Sequence, residues 1–178
     1  MEFLKIFPEA QKINNKQLQQ NVEKVWVDAI KLGGWKPEEL FRIPFTLLIP
    51  DTDISIVEHT RAVTNLALEI ADTLQRFFQK LEINRDYLLA GGILHDVGKL
   101  LEYEHSEEGF QKSKLGKLLR HPVSGVALAG RYEIPFEVIH IIYTHSKEGD
   151  IYERSIESTI IHYSDFINFE SAKALKNE

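Results

Sequence analysis

Cysteine is absent from the 178 residues of this chain. Without thiols the chain can form neither disulfides nor thiolate metal sites. Any metal ion would therefore be held by nitrogen and oxygen ligands, a donor set that suits Fe, Mn, Zn or Ni better than Ca.

A long apolar segment is also missing. No run approaches the roughly 18 consecutive apolar residues of a membrane span. The opening MEFLKIFPEAQKI is charged early and interrupted by Pro8, unlike a secretory signal peptide. We therefore expect a cytoplasmic protein with no membrane partner.

The chain has no excess of basic residues. It contains 27 acidic and 21 basic residues, which gives a formal net charge of -6. General nucleic-acid binders usually carry the opposite balance, because the phosphate backbone attracts cations. The composition disfavours bulk nucleic acid as a partner. It leaves small phosphorylated ligands open, since these need only a local cationic site.

Helical periodicity runs through almost the whole sequence, and neither a repeat nor a Pro-, Gly- or Ser-rich linker divides it. We therefore predict one all-α domain over residues 1–178. Capping signals and periodicity predict long helices over residues 15–32, from Ser55, from Arg85 to Gly98 and over 155–175. Shorter helices are predicted over 124–132 and 135–145. The segment LEYEHSEEG is predicted to be an acidic loop, with no β-hairpin.

Six titratable residues fall at element ends or among apolar neighbours: His59, His95, Asp96, His121, His145 and Asp165. Taken singly, His59 is explained equally well as a solvated histidine, and His95 as a core histidine bonded to a carbonyl. The adjacent pair in LLAGGILHDVGK is harder to explain, because burying both groups is costly unless something satisfies them. A metal ion would offset the desolvation of the Asp96 carboxylate and use the imidazole as a neutral ligand.

The order of these six residues along the chain resembles the HD superfamily of metal-dependent phosphohydrolases. His121, in RHPVSGVALA, and His145, in IIYTHSKEG, resemble the two additional ligands of the branch that binds two metal ions. The resemblance implies an all-α HD-domain bundle of about six to eight helices, in agreement with the periodicity. It covers about residues 55–170. Residues 1–54 form a predicted N-terminal helical extension, a candidate lid or homodimer contact.

The resemblance also implies which residues hold the metals. One divalent ion would be bound by His59, His95, Asp96 and Asp165, and a second by His121 and His145, with Asp96 bridging the two. Among Fe, Mn, Ni, Co and Zn, it favours iron. A bridging carboxylate holds two cations roughly 3.5–4 Å apart, the separation used in two-metal hydrolysis.

The implied function is a metal-dependent phosphohydrolase. It would cleave a phosphate ester or anhydride of a nucleotide-like or other small phosphorylated substrate through a metal-activated hydroxide. Asp96 and Lys99 are the expected catalytic residues, and Lys99 would also pair with a substrate phosphate. In QKSKLGKLLRH, the residues Lys114, Lys117 and Arg120 recur at every third position, which predicts one helical face. Arg120 and Lys117 are expected to bind the substrate.

Two other functions are consistent with the same residues. HD-type di-iron oxygenases use the same six ligand types, and a non-catalytic regulatory module would keep the fold without turnover. The basic residues before His121 favour a phosphate ligand only weakly, because some oxygenase substrates are also anionic. The complete ligand set argues against a module that has lost its activity.

Overall fold

Eight α-helices and one short hairpin make up the described part of the chain, residues 2–176 of a computed structural model. Met1, Asn177 and Glu178, the ends of the predicted 1–178 domain, lie outside the described residues. The helices are α1 (Phe3–Ile6), α2 (Lys16–Gly33), α3 (Ile56–Phe77), α4 (Arg85–Leu94), α5 (Lys99–Glu102), α6 (His121–Ala129), α7 (Phe136–Thr144) and α8 (Ile156–Leu175). Short 3-10 helices span Pro8–Lys12, Pro37–Phe41 and Lys147–Gly149. The prediction of a helical bundle is confirmed.

Local capping signals set the starts of the long helices. The Asn15 side chain accepts a hydrogen bond from the Leu18 N–H at 3.0 Å, at the start of α2. Ser55 and Glu58 exchange hydrogen bonds of 3.2 and 2.8 Å at the start of α3. At the end of α2, Gly34 adopts the left-handed conformation with φ of 73°. The predicted starts and this end are confirmed because each depends on contacts within a few residues.

A β-hairpin occupies the segment that the sequence predicted to be an acidic loop. Strands β1 (Tyr103–Ser106) and β2 (Gly109–Lys112) pair antiparallel, with Tyr103 opposite Lys112 and Ser106 opposite Gly109. The prediction of no hairpin is wrong. The turn residues carry no Asn-Gly signal, and the strands are fixed by long-range packing, since His105 on β1 lies 4.8 Å from the Trp35 ring.

Two further boundaries differ from the predictions. Helix α4 ends at Leu94 rather than at Gly98, so His95 and Asp96 lie in a turn before α5. The segment that carries Lys114 and Lys117 forms turns, and the predicted helical face of Lys114, Lys117 and Arg120 is wrong. The Ser113 N–H donates to the Glu102 carbonyl at 2.8 Å, which closes the chain back onto α5 instead of starting a helix. Helix α6 then begins at His121, three residues before the predicted start.

The N-terminal segment shares one apolar core with the helices that follow. The Trp26 indole N–H donates to the Ile93 carbonyl at 3.0 Å, and the Trp35 indole N–H donates to the Leu100 carbonyl at 2.7 Å. Phe7 packs on Trp26, with 4.6 Å between the ring centroids. These contacts hold α2 against α4 and α5, the elements that flank His95 and Asp96. No helix in the described range is long and apolar enough to cross a membrane.

Gly98 allows α5 and α6 to approach closely. A Cβ atom at this position would collide with the His121 carbonyl oxygen and lie 2.7 Å from the Gly125 nitrogen, both backbone atoms that side-chain rotation cannot move. The φ angle of Gly98 is -64°, which any residue adopts. Gly98 is therefore required for space and not for backbone conformation.

Gly98→Ala is expected to lower the free energy of unfolding by about 1–3 kcal/mol, the usual cost of overpacking. Chemical denaturation measures the change. Gly130→Ala is the matched control, because the nearest atom to an added Cβ there is 3.3 Å away. A variant as stable as Gly130→Ala would show that α5 and α6 can separate without cost.

Candidate metal centre

Five different elements bring the six predicted ligands together. His59 lies in the first turn of α3 and Asp165 within α8, while His95 and Asp96 occupy the turn after α4. His121 is the first residue of α6, and His145 directly follows α7. All are buried except Asp165, whose side chain is 16% exposed. Their donor atoms form two clusters that share Asp96, and within each cluster all atoms lie within 4.8 Å of one another.

The first cluster consists of His59, His95, Asp96 and Asp165. The Nε2 atom of His59 lies 3.1 Å from Oδ1 of Asp165 and 3.3 Å from Oδ2 of Asp96. The Nε2 atom of His95 lies 3.4 Å from the same Asp96 oxygen. Two imidazole nitrogens and two carboxylates thus converge on one point.

The second cluster consists of Asp96, His121 and His145. Here the other Asp96 oxygen takes part: Oδ1 lies 3.3 Å from Nε2 of His121 and 3.6 Å from Nε2 of His145. The two imidazole nitrogens are 3.2 Å apart. One carboxylate therefore directs one oxygen to each cluster, the arrangement of a bridging ligand.

The protonation of the histidines fits cation binding. The Nδ1 atoms of His95 and His145 lie 2.7 and 2.8 Å from the carbonyl oxygens of Gly92 and Ile142, which can only accept. In the neutral rings the proton is therefore on Nδ1, and Nε2 carries a lone pair directed into the clusters. Within the described chain, Oδ1 of Asp96 is buried with no hydrogen-bond partner. Lone pairs that face one another in a buried site fit a divalent cation between them.

The electrostatics of the protein groups agree with this arrangement. Burial lowers the pKa of His121 to about 4, so its imidazole is neutral at physiological pH. Burial alone would raise the pKa of Asp96, but the charges of Lys99 and His95 hold it well below its usual range. The pKa of Asp165 is likewise lowered, because its hydrogen bond to His59 outweighs the effect of burial. Carboxylates that stay ionised beside a neutral imidazole are suitable ligands for divalent ions.

Lys99 is buried beneath Asp96 instead of extending freely towards solvent. Its ammonium donates to Oδ2 of Asp96 and to the Phe45 carbonyl, each at 2.6 Å. Burial would lower the pKa of Lys99, but the neighbouring Asp96 charge raises it above its ordinary value. Lys99 is thus a fixed cation that orients the shared carboxylate, and one of its three N–H groups remains for the adjacent cavity.

A cavity of about 300 Å³ adjoins the two clusters. Lys99, His121 and Asp165 contribute to its wall. Apolar side chains line one part of it: Phe45, Leu47, Leu48, Phe166 and Phe169. Cations line another part: Lys112, Arg120 and Lys147. The cavity can therefore contact an apolar group and an anionic group of one small molecule.

The basic residues near His121 are distributed differently from the sequence prediction. Arg120 lines the cavity, with its Nε 3.3 Å from Oε1 of Glu148. Lys117 is exposed in a turn and is not part of the cavity wall. Lys112, on β2, takes part instead, because the unpredicted hairpin turns this strand back towards α5.

Glu102 is the buried carboxylate that the sequence reading missed. Its Oε2 accepts hydrogen bonds of 2.8 Å from both the backbone N–H and the Nδ1–H of His121. The sequence offered no local signal for this contact, because the two residues are 19 positions apart. His162 is a further neighbour, and its Nδ1 donates to the His145 carbonyl at 2.7 Å.

Comparison with known families gives one match, to the HD domain, over residues 56–167. A dihydroneopterin 2',3'-cyclic phosphate phosphodiesterase of Methanocaldococcus jannaschii is 37% identical over 111 residues, which are 62% of this chain and 44% of that protein. Ribonuclease Y of Finegoldia magna is 30% identical over 114 residues, 64% of this chain and 18% of that protein. Ribonuclease Y of Mycoplasmoides gallisepticum is 27% identical over 113 residues, 62% of this chain and 19% of that protein.

These matches cover less than half the length of the curated relatives. No solved structure matches the chain significantly. The similarity therefore concerns the segment that carries the six clustered residues, from His59 to Asp165.

Proposed function

This chain belongs to the HD domain family, and on that premise we propose that it is a metal-dependent phosphohydrolase acting on a small phosphorylated substrate. The observation that carries the proposal is the position of Asp96, which directs one oxygen to each of two buried histidine clusters. Such a bridge is the arrangement required for two-metal hydrolysis of a phosphate ester.

In this proposal two divalent ions, with iron favoured, are held by the two clusters described above. His59, His95, Asp96 and Asp165 hold one ion, and Asp96, His121 and His145 hold the other. When bound, the ions supply an ionised water nucleophile near neutral pH and neutralise charge on the phosphoryl group. With three to four protein ligands each, the ions keep coordination positions for water and for a phosphate oxygen.

The residues of the chain itself orient and neutralise the substrate. Lys99 holds Asp96 in place and directs its remaining N–H into the cavity, towards a phosphate oxygen. Arg120 and Lys112 offer further positive charge at the cationic wall, where a charge-assisted hydrogen bond to phosphate is strong. Phe166 and Phe169 supply apolar surface for the part of the substrate that is not phosphate.

The relatives suggest a narrower reaction class. The printed names describe a cyclic phosphate phosphodiesterase and a ribonuclease, both of which act on phosphodiesters. A phosphodiester with a nucleotide-like aromatic group fits a cavity with one apolar and one cationic wall. We therefore propose hydrolysis of a small nucleotide-like phosphodiester as the reaction.

The proposed activity is tested with bis(p-nitrophenyl) phosphate and a panel of nucleotides, cyclic nucleotides and a short oligoribonucleotide. Protein loaded with Mn²⁺ or Fe²⁺ is expected to hydrolyse at least one of them, and chelation is expected to stop the reaction. No turnover across the panel by protein with measured metal content would contradict the proposal. Oxygen consumption by the reduced, iron-loaded protein would support an HD-type oxygenase instead.

Arg120→Ala is expected to raise the KM for the best substrate about tenfold, since a charge-assisted hydrogen bond contributes about 1.5–3 kcal/mol. Lys114→Ala is the matched control: it also removes one positive charge, but Lys114 is exposed and does not line the cavity. Steady-state kinetics of the two variants give the comparison. Equal changes in KM would show that only the overall charge matters.

A further inference from the structure

Glu102 is a buried carboxylate between one histidine of the second cluster and the cations of the cavity. Its residue is 2% exposed. Oε2 accepts both N–H groups of His121, while Oε1 faces Nζ of Lys112 and Nε of Arg120, each at 3.6 Å. No other carboxylate of the described chain makes a hydrogen bond to a histidine of the second cluster.

The backbone around Glu102 is fixed from both sides. Its N–H donates to the Gly98 carbonyl at 3.0 Å, and its carbonyl accepts from the Ser113 N–H at 2.8 Å. Gly116 packs against the same carbonyl so closely that an added Cβ would collide with it. Glu102 therefore cannot shift easily, and the position of its carboxylate determines the position of the His121 ring.

The carboxylate also determines which nitrogen of His121 can bind a cation. An ionised carboxylate only accepts hydrogen bonds, so Nδ1 of His121 must carry the proton. Nε2 then keeps its lone pair, and it lies 3.3 Å from Oδ1 of Asp96. His95 and His145 obtain the same tautomer from neutral backbone carbonyls. The negative partner makes the His121 imidazole the more electron-rich donor, an effect known for histidine ligands bonded to a carboxylate.

We propose that Glu102 is a positioning residue, which holds His121 in the tautomer and orientation that bind the second metal ion and holds Lys112 and Arg120 at the cavity wall. The proposal rests on the metal binding of the proposed function and does not depend on which ester is cleaved. Glu102 touches neither the ion nor the substrate and acts through His121 and the two cations.

Glu102→Gln and Glu102→Ala separate charge from hydrogen bonding. The glutamine oxygen can still accept from His121 but carries no charge, whereas alanine removes the acceptor. We expect the affinity for Mn²⁺ at the second site to fall about tenfold in Glu102→Gln and up to about 100-fold in Glu102→Ala. Isothermal titration of the metal-free protein with Mn²⁺ measures both sites, and the first site is expected to keep its affinity.

Glu148→Gln is the matched control. It makes the same change at a carboxylate that also faces Arg120 and lines the same cavity, but its hydrogen bond is to Ser146 and not to a histidine of the cluster. Its Mn²⁺ affinities are expected to equal those of the wild type. Nitrogen-15 NMR gives a second measurement: His121 should be protonated at Nδ1 in the wild type and lose this preference in Glu102→Ala.

Three results would overturn the inference. They are an unchanged second-site affinity in Glu102→Ala, equal losses in Glu102→Gln and Glu148→Gln, or a His121 tautomer that does not depend on residue 102. Failure of the proposed function gives a different result, since a protein without turnover can still bind two ions and show the Glu102 effect. If Glu102 only stabilises the fold, thermal unfolding changes while the Mn²⁺ affinity of the folded protein does not.

Discussion

Asp96→Ala is expected to abolish phosphodiester hydrolysis by the Mn²⁺-loaded protein. The loss should exceed the roughly 10–100-fold that is typical of residues that only support a metal ligand. Asp96 is the one residue shared by both clusters, so its removal takes a carboxylate oxygen from each site at once. Metal analysis of the same variant is expected to show fewer than two bound ions.

Alanine at this position also leaves the Lys99 ammonium buried without its charge partner. Because such a change can prevent folding, Asp96→Asn serves as the second variant. The asparagine oxygen can still accept from Lys99, but the side chain cannot bridge two cations with negative charge. Asp72→Asn is the matched control, since Asp72 is exposed and pairs with Arg85 away from both clusters.

The expected order of activity is wild type and Asp72→Asn together, then Asp96→Asn, with Asp96→Ala lowest. Folded Asp96→Asn that keeps wild-type turnover and two bound ions would rule out Asp96 as the bridging ligand. Circular dichroism confirms that each variant has folded before its activity is compared.

Lys99→Met is expected to lower the free energy of unfolding of the metal-free protein by about 3–5 kcal/mol, the cost of breaking a buried ion pair by removing one partner. The Lys99 ammonium is 2.6 Å from Asp96, and Asp96 is 1% exposed. Methionine fills a similar volume, so the loss measures the uncompensated carboxylate and not a cavity. Urea denaturation gives the value.

Mn²⁺ should restore part of the stability lost in Lys99→Met. A divalent ion in either cluster balances the Asp96 charge that the ammonium no longer balances, and it also stabilises the folded state by mass action. Lys112→Met is the matched control, because its ammonium is partly exposed and 3.6 Å from Glu102; its cost should be below about 1 kcal/mol. If the two variants cost the same, the Lys99–Asp96 pair contributes no more than a surface pair.

The predictions from sequence succeeded where a feature depends on neighbouring residues. The helix starts after Asn15, Ser55 and Ser155 were predictable because a side-chain oxygen accepts an N–H only three residues ahead. The hairpin of β1 and β2 was not predictable in this way. Its stability depends on contacts with Trp35, almost 70 positions before the strands.

The candidate site shows the same division. The order of histidines and aspartates identified six residues, and these six lie together in two clusters. The order could not give their distances, nor show that Asp96 directs one oxygen to each cluster. It also assigned a cavity position to Lys117, which is exposed in a turn, and overlooked Lys112, which the hairpin brings to the cavity.

The sequence by itself determined the helical class, the chemical types of the candidate ligands and the exclusion of thiolate metal sites. These properties follow from composition, periodicity and short-range hydrogen bonding. Only the tertiary structure decided that Glu102 meets His121 and that Lys99 lies beneath Asp96. Both contacts require α5 to pack closely on its neighbours, which Gly98 permits, and such packing is a property of the whole fold and not of any local segment.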